Sequence, residues 1–203
     1  MNEDLQLVLK AQNSCRDSFN QLVVKYSNQL VNFLWRRGIV LQEAEDIAQD
    51  AFIQAYKKLN FYKAKYSFST WLYTIARNIS IDRMRANKFE TISIHSENSR
   101  EFAAESDDGP TQGMIQGEEK CAMWSLAKRL PPLSYELLQL HYAEEKSIAE
   151  IAYITKRSKT GVKVALHRAR KQLMKKVNQK GDVGESYREP SIVPLETLRN
   201  VGE

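Results

Sequence analysis

The sequence is poor in the residues that build disulfide, metal and collagen-like architectures. Among its 203 residues there are only 2 Cys, 8 Gly and 5 Pro. Cys15 and Cys121 lie far apart, with no Cys-x-x-Cys motif or Cys/His cluster near them, which argues against a disulfide framework and a structural zinc site. The hydrophobic content of 42% and charged content of 27% are instead typical of a globular chain that buries a core.

Long apolar runs are also missing. The longest stretch without Lys, Arg, Asp or Glu covers residues 66–76, whereas a membrane-spanning helix needs ~18 or more apolar residues. The first residues, MNEDLQLVLK, carry acids rather than a basic region followed by an apolar one, so we expect no secretory signal. These absences and the low cysteine content predict a cytoplasmic protein without direct membrane insertion.

Motifs of catalysis are absent as well. The chain has no Walker-type glycine loop and no nucleophile elbow, and His95, His141 and His167 do not show metal-ligand spacing. We therefore expect a protein that is not an enzyme, with no catalytic residues, no cofactor and no metal.

Charge is present in blocks. The net charge is +5, but residues 1–86 are mildly basic, residues 87–119 are acidic, residues 120–180 are strongly basic and the last 23 residues are acidic again. Such a basic C-terminal module raises the local concentration of polyanions such as nucleic acid. The alternative on charge alone is a solvated Lys/Arg face.

Apolar residues recur at three- and four-residue steps through most of the chain, which predicts helices. Near the N-terminus the pattern predicts one helix ending near Gly38, a second over about Ala44 to Leu59 and a third over about Phe68 to Ala86. Ser, Asn, Asp, Gly and Pro cluster over residues 92–117, which is typical of a linker. The fold class predicted is all-α, with two small helical domains joined by an acidic flexible linker.

The C-terminal module has clear helix start signals. Pro131 and Pro132 end one helix, and Ser134 is a candidate cap for the next. Ser147-Ile148-Ala149-Glu150 matches a capping box. The predicted helices 148–154 and 159–176 have the size and spacing of a helix-turn-helix, and the second is crowded with Lys, Arg and His. A cationic helix on an apolar support can enter the major groove, although an exposed Lys-rich surface helix is the alternative.

Aromatic residues concentrate just before and inside the third helix. Six of them fall between Phe61 and Tyr73 and interleave with Lys63 and Lys65. Rings beside cations can hold unpaired bases by stacking. Core packing competes with this interpretation, above all for Phe68 and Trp71.

The second helix carries an acidic face formed by Glu43, Glu45, Asp46, Gln49 and Asp50. A solvated surface is the usual outcome for such charges. A basic protein partner is the other interpretation.

Two stretches together resemble the bacterial sigma factors, specifically their short extracytoplasmic-function group. AEDIAQDAFIQAYKKL followed by FSTWLYTIARNISIDRMR is similar to domain two of that family, and LPPLSYELLQLHY followed by SIAEIAYITKRSKTGVKVALHRARKQL is similar to its domain four. Where the family often has glycine in the turn of domain four, this chain has Lys156. The resemblance implies core RNA polymerase, promoter DNA and an anti-sigma factor as partners.

The resemblance also implies site residues. Core polymerase would be bound through Glu45, Asp46, Gln49 and Asp50. The single-stranded minus-ten element would be bound by Tyr62, Lys63, Lys65, Tyr66, Trp71, Arg77 and Asn78. The minus-thirty-five element would be read through the helix-turn-helix by Lys159, Thr160, Lys163, Val164, His167, Arg168 and Arg170.

The domains expected are 1–88 for domain two, 89–117 for the acidic linker, 118–180 for domain four and 181–203 for a C-terminal tail. The function expected is promoter-specific transcription initiation, including promoter melting. Two other classes stay open: a helix-turn-helix regulator that binds duplex DNA without polymerase, and a module that docks another protein through its N-terminal helices. The aromatic loop favours the sigma interpretation, because neither rival needs to hold unpaired bases.

Overall fold

A computed structural model describes residues 3–93 and 123–181 of the chain. Throughout these ranges the regular elements are helical, which confirms the predicted all-α class. The N-terminal module contains α1 (Glu3–Gln12), α2 (Arg16–Arg36), α3 (Leu41–Lys57), a 3-10 turn (Leu59–Phe61) and α4 (Phe68–Ser93). The C-terminal module begins with a helical segment at residues 123–127 and continues with α5 (Pro132–Leu138), a π-helical turn (Gln139–Ala143), α6 (Ile148–Thr155) and α7 (Lys159–Gly181).

The core of the N-terminal module is built from the apolar stripes of α2, α3 and α4. These stripes face one another because residues three and four apart lie on one side of a helix. The buried members include Phe19, Leu22, Leu30, Phe33, Ala44, Ile47, Ala51, Phe68 and Leu72.

Helix α1 was not expected from the sequence. It buries Val8 and Ala11 against this core. The Gln12 side chain donates to the Leu59 carbonyl at 2.9 Å, and the Tyr26 hydroxyl donates to Asp4. Helix α1 is therefore tied both to α2 and to the turn that precedes the aromatic loop.

The prediction that Ser134 caps a helix was wrong. Helix α5 begins at Pro132, with Pro131 in the capping position. Proline is favoured in the first helical turn because its missing amide hydrogen would have no partner there. Ser134 consequently lies inside the helix.

The capping box at the start of α6 is confirmed. The Glu150 amide donates to Ser147 Oγ at 3.3 Å, and the Ser147 amide donates to Glu150 Oε2 at 3.0 Å. Helix α6 is capped by Lys156, the residue after Thr155, whose φ of 55° and ψ of 40° are left-handed. Glycine is the preferred residue in this conformation. Helix α7 then starts after Ser158, whose Oγ accepts from the Gly161 amide at 3.0 Å.

The two modules pack directly against each other, an arrangement that the sequence did not predict. Buried residues of both modules form one hydrophobic cluster, with α4 lying against α6. In this interface the side-chain Nε2 of Gln139 donates to the Phe33 carbonyl at 3.0 Å. Because that carbonyl lies in α2, the C-terminal module contacts α2 as well as α4.

Polar side chains surround this apolar contact. Glu136 of α5 accepts from Arg77 Nε at 2.7 Å and lies 3.4 Å from Arg37 Nη2. Glu150 Oε1 accepts from the Thr70 hydroxyl at 2.6 Å, and Lys146 Nζ donates to Ser69 Oγ at 2.7 Å. Each of these bonds joins an N-terminal to a C-terminal residue, so breaking the interface would expose several paired polar groups at once.

The predicted acidic linker falls largely outside the described residues. Its first residues, 89–93, belong to α4, which continues to Ser93. The predicted C-terminal tail also lies outside the described ranges, apart from Gly181 at the end of α7.

Candidate nucleic-acid interface

The aromatic segment predicted from the sequence surrounds a small cavity of about 220 Å³. The chain reaches it through the 3-10 turn, crosses the loop at residues 62–67 and enters α4. The lining side chains are Phe61, Tyr62, Lys63, Lys65, Tyr66, Trp71 and Tyr153. Five of the seven residues predicted to bind the minus-ten element, Tyr62, Lys63, Lys65, Tyr66 and Trp71, are thus brought together at one place.

The loop is shaped by Tyr62. Its hydroxyl donates to the Tyr66 carbonyl at 2.7 Å, and the Lys65 amide donates to the Lys63 carbonyl at 2.7 Å. The Tyr62 ring packs on Trp71, with ring centroids 5.2 Å apart. Tyr62 therefore acts mainly by fixing the loop, while the ammonium groups of Lys63 and Lys65 stay exposed at its rim.

Phe68 and Trp71, for which core packing was the alternative to base contact, differ in how far they are buried. Phe68 is 1% exposed and belongs to the core. Trp71 is only partly buried, packs against that core and lines the cavity. A half-buried ring that lines a cavity is suited to stacking with a base.

Arg77 and Asn78 lie apart from the cavity. Along α4, Arg77 is six residues beyond Trp71, roughly 9 Å at ~1.5 Å per residue. The Arg77 guanidinium is engaged by Glu136, with Nε 2.7 Å and Nη2 3.2 Å from its carboxylate oxygens. Asn78 is half-buried on the adjacent face of α4.

Sequence reasoning missed Tyr153, which reaches the cavity from the other module. Its ring lies on that of Tyr66 with centroids 4.6 Å apart and an interplanar angle of 32°. Tyr153 is 40% exposed, whereas its helix neighbours Ile151 and Ile154 are fully buried. The signal in the sequence was a large aromatic residue on the polar face of a short amphipathic helix.

The second helix of the helix-turn-helix presents a basic surface. Val162, Leu166 and Ala169 are buried and anchor α7, and the opposite face is exposed. The exposed residues on that face are Lys159, Thr160, Lys163, Val164, His167 and Arg168. This is the predicted set for the minus-thirty-five element except for Arg170.

Arg170 lies on a different side of α7. Its guanidinium is positioned over the Tyr142 ring, 5.4 Å from the centroid, and it is only partly exposed. Cation–π contacts of this kind stabilise packing between elements. Arg170 thus supports the helix-turn-helix against the π-helical turn, and its DNA contact stays a prediction.

The predicted acidic face lies on α3. Glu45, Asp46 and Gln49 are exposed, and Asp50 is half-buried. Asp50 also forms an ion pair with Arg83 of α4, with 2.5 Å between Oδ2 and Nη2. The face is therefore available to a partner, with one carboxylate held in place by a neighbouring helix.

Burial perturbs the ionisable groups at the interface between the modules. Desolvation raises the pKa of Glu144, although the Tyr73 hydroxyl and the charges of Arg36 and Lys146 oppose the shift. Burial alone would also raise the pKa of Glu150. Hydrogen bonds from Thr70 and Ser147 stabilise its charged form more strongly, so the pKa of Glu150 is lowered overall. Desolvation likewise lowers the pKa of Lys146.

Within residues 3–93 and 123–181, no three His, Cys, Asp or Glu side chains are grouped so that they could hold a metal ion. None of the helices in these ranges has both the length and the apolar character needed to cross a membrane.

Comparison with known families and proteins agrees with the geometry. The family model for Sigma-70 region 2 matches residues 22–90, and the model for Sigma-70, region 4 matches residues 122–173. The ECF RNA polymerase sigma factor SigW of Bacillus subtilis (strain 168) is 31% identical over 168 residues, which cover 80% of this chain and 90% of that protein. The RNA polymerase sigma-H factor of Pseudomonas aeruginosa is 28% identical over 179 residues, covering 85% of this chain and 93% of that protein.

Among solved structures, the sigma factor RpoE of Bartonella quintana, crystallised with the anti-sigma factor NepR, has a similar fold. The TM-score is 0.62 at 21% sequence identity, and the match covers 79% of this chain and 96% of that one. The two-module helical fold is therefore shared with a solved sigma factor.

Proposed function

Because the chain belongs to the extracytoplasmic-function group of RNA polymerase sigma factors, which direct transcription initiation, we propose how its own residues divide that task. The N-terminal module, taken as 1–88, binds core polymerase and melts the minus-ten element. The C-terminal module, taken as 118–180, reads the minus-thirty-five element, and residues 89–117 link the two. The observation that carries the proposal is an aromatic cavity rimmed by lysines in one module and an exposed basic recognition helix in the other.

Melting depends on the cavity in the N-terminal module. Flipping a base out of the duplex costs a few kcal/mol, and each stacked base regains ~1 to 3 kcal/mol on an aromatic ring. Tyr66 and Trp71 supply ring faces, and Lys63 and Lys65 neutralise the adjacent backbone phosphates. Arg77 and Asn78, further along α4, contact the strand beside the captured base.

Recognition of the upstream element depends on α7. Its exposed face enters the major groove, where side chains read the pattern of donors and acceptors on base edges. Lys163, His167 and Arg168 are the polar readers, and Val164 offers an apolar surface to a thymine methyl group. Lys159 and Thr160, at the start of the helix, contact the backbone and set its position.

Core polymerase holds the two DNA-binding modules on one frame. The exposed carboxylates of Glu45 and Asp46, with Gln49 and Asp50, dock on a basic surface of the enzyme. Two DNA contacts fixed on one frame act as an intramolecular pair, which raises selectivity without new contacts. The protein needs no cofactor and has no catalytic activity of its own in this scheme, because the polymerase performs the chemistry.

The setting of this activity is the cytoplasm, where promoter and polymerase are found. An anti-sigma factor is the expected negative regulator. Support comes from the solved relative of similar fold, which was crystallised with one.

Run-off transcription tests the proposal directly. Core RNA polymerase is incubated with a pool of genomic upstream fragments, with and without the purified protein. New transcripts that share two spaced upstream elements are expected only when the protein is present. A silent core enzyme, combined with duplex binding by the protein alone, would instead favour the regulator that acts without polymerase.

Two single variants distinguish polymerase binding from promoter opening. Asp46→Ala is expected to weaken binding to core polymerase, and Asn78→Ala is expected to impair promoter opening while leaving core binding unchanged. Opening is followed by permanganate reactivity of unpaired thymines. Equal reactivity with wild type and Asn78→Ala would remove Asn78 from the proposed site.

A further inference from the structure

The proposed single-strand site is occupied by the chain itself. Tyr153 of α6 covers one face of the Tyr66 ring, with 4.6 Å between centroids, and forms one wall of the cavity. Planar rings at this distance and tilt resemble the contact that a base would make with Tyr66. A base that stacks on this face of Tyr66 must displace Tyr153.

The same interface engages a second proposed DNA contact. Glu136 is 4% exposed and holds the Arg77 guanidinium through two hydrogen bonds. An arginine paired in this way has its donors directed at a carboxylate and is not free to bind a phosphate. The C-terminal module therefore covers both ends of the proposed minus-ten surface.

Promoter geometry requires the two modules to separate. The minus-ten and minus-thirty-five elements lie about 25 base pairs apart, roughly 85 Å at ~3.4 Å per base pair. In this structure, α6 of the helix-turn-helix touches the cavity that binds the minus-ten strand. Recognition of both elements at once is thus incompatible with the packed arrangement.

From these contacts we propose that the C-terminal module inhibits the N-terminal module in cis, with Tyr153 taking the stacking position of the captured base. This inference rests on the proposed function of the cavity. The pocket binds single-stranded DNA only after the modules part, so its apparent affinity is reduced by the fraction of molecules that are open. Core polymerase and promoter activate the protein because they bind the open form preferentially.

The test compares Tyr153→Ala with Tyr153→Phe in the full chain. The probe is a fluorescein-labelled single-stranded 12-mer of randomised sequence, and binding is measured by anisotropy. Because Tyr153→Ala removes one aromatic pair, this variant should bind the 12-mer roughly two- to tenfold more tightly than wild type. Tyr153→Phe keeps the ring and should bind like wild type. Since Tyr153 is 40% exposed and is not part of the core, neither change should unfold α6.

A double variant shows whether the gain acts through the pocket. Adding Tyr66→Ala to Tyr153→Ala should cancel the gain, because the released ring face is then missing. If the double variant binds as tightly as Tyr153→Ala, the tighter binding arises elsewhere and the inference is wrong.

A distance measurement tests closure without relying on DNA. Spin labels are placed on Cys15 and on Lys175→Cys, both exposed, in a Cys121→Ser background. Wild type should give one narrow distance distribution, and Tyr153→Ala a broader one. A broad distribution in wild type would contradict the closed state.

The binding and distance measurements together distinguish failure of this inference from failure of the proposed function. A narrow wild-type distribution together with equal binding by wild type and Tyr153→Ala would show that closure does not block the pocket, which overturns this inference alone. If no variant binds the 12-mer, including one shown to be open by its distances, the single-strand role of the cavity itself is wrong.

Discussion

Arg77 Nε lies 2.7 Å from Glu136 Oε1, and this pair joins two helices that are 59 residues apart in the sequence. Glu136 also lies 3.4 Å from Arg37, whose other amino group donates to Ser80 at 3.1 Å. One carboxylate from the C-terminal module therefore balances two arginines of the N-terminal module. Its side chain is 6% exposed and that of Arg77 is 12% exposed, so little water is present to replace the pairing.

Replacing Glu136 by Gln is expected to weaken the contact between the modules. The substitution keeps the shape of the side chain but leaves two arginines without their anion. Breaking such a pair costs ~3 to 5 kcal/mol when the remaining charge stays buried, and less when the modules can part and let water reach it. We expect a loss of about 1 to 3 kcal/mol in the free energy of unfolding, measured by urea titration.

Glu45→Gln is the matched control, because Glu45 is an exposed carboxylate on α3. It should change stability by less than about 0.5 kcal/mol. If Glu136→Gln were no less stable than this control, the pairing would contribute nothing to the packed state.

Local sequence patterns predicted the helices well where an apolar stripe is long. The stripe that includes Leu22 and Leu30 locates α2, and the Ser147/Glu150 spacing locates the start of α6. Both signals are local, because periodicity and capping depend on residues within one or two turns. Helix α1 is only 10 residues long, so its apolar stripe, which buries Val8 and Ala11, is short, and tertiary hydrogen bonds such as that from Gln12 to the Leu59 carbonyl also hold it in place.

The contact between the modules could not be predicted for a related reason. Glu136 has the sequence context of an ordinary surface charge and Glu150 that of a capping residue, and only the folded chain places them against Arg77 and Thr70. The same is true of Tyr153, which has no local partner. Pairings across many tens of residues leave no periodic trace in a single sequence.

Replacing Lys156 by Gly is expected to stabilise the protein. Lys156 has a left-handed backbone with φ of 55°, and a side chain in this region costs roughly 1 kcal/mol relative to glycine. Lys156→Gly should therefore raise the free energy of unfolding by ~1 kcal/mol in thermal or urea denaturation. Arg157→Gly, one residue on and without a positive φ, is the control and should not stabilise. Equal effects of the two changes would show that strain at Lys156 is not relieved.

The hydroxyl of Tyr62 is expected to matter more than that of Tyr66. Tyr62→Phe removes the hydrogen bond to the Tyr66 carbonyl, which is worth about 0.5 to 1.5 kcal/mol, and so loosens the loop that carries Lys63 and Lys65. Promoter opening, followed by permanganate reactivity, should fall roughly two- to tenfold with core binding unchanged. Tyr66→Phe retains the stacking ring and should open promoters nearly as well as wild type. The reverse order of the two variants would contradict the positioning role of Tyr62.

Protonation of Glu144 is expected to favour the packed state. Desolvation raises the pKa of Glu144 in the folded protein, and its Oε2 accepts from the Tyr73 hydroxyl. A group with a raised folded-state pKa contributes stability at low pH that is lost as pH rises through that pKa. Wild type should therefore gain stability relative to Glu144→Gln as pH falls from neutral toward about 4.3, the ordinary pKa of a glutamate side chain. Parallel stability curves for the two proteins over this range would show that Glu144 does not titrate in the interface.

Two lysines of α7 are expected to differ in what they contribute to DNA binding. Lys163 belongs to the exposed face proposed to read bases, whereas Lys175 lies twelve residues further along the same helix, roughly 18 Å away. Lys163→Ala should cost ~1 to 3 kcal/mol in discrimination between the promoter and mismatched duplexes. Lys175→Ala should weaken binding to all duplexes by the same factor and reduce the salt dependence of that binding. Binding of both variants is measured with core polymerase present, across a series of salt concentrations. Loss of discrimination in Lys175→Ala, or its full retention in Lys163→Ala, would place the reading surface elsewhere on the helix.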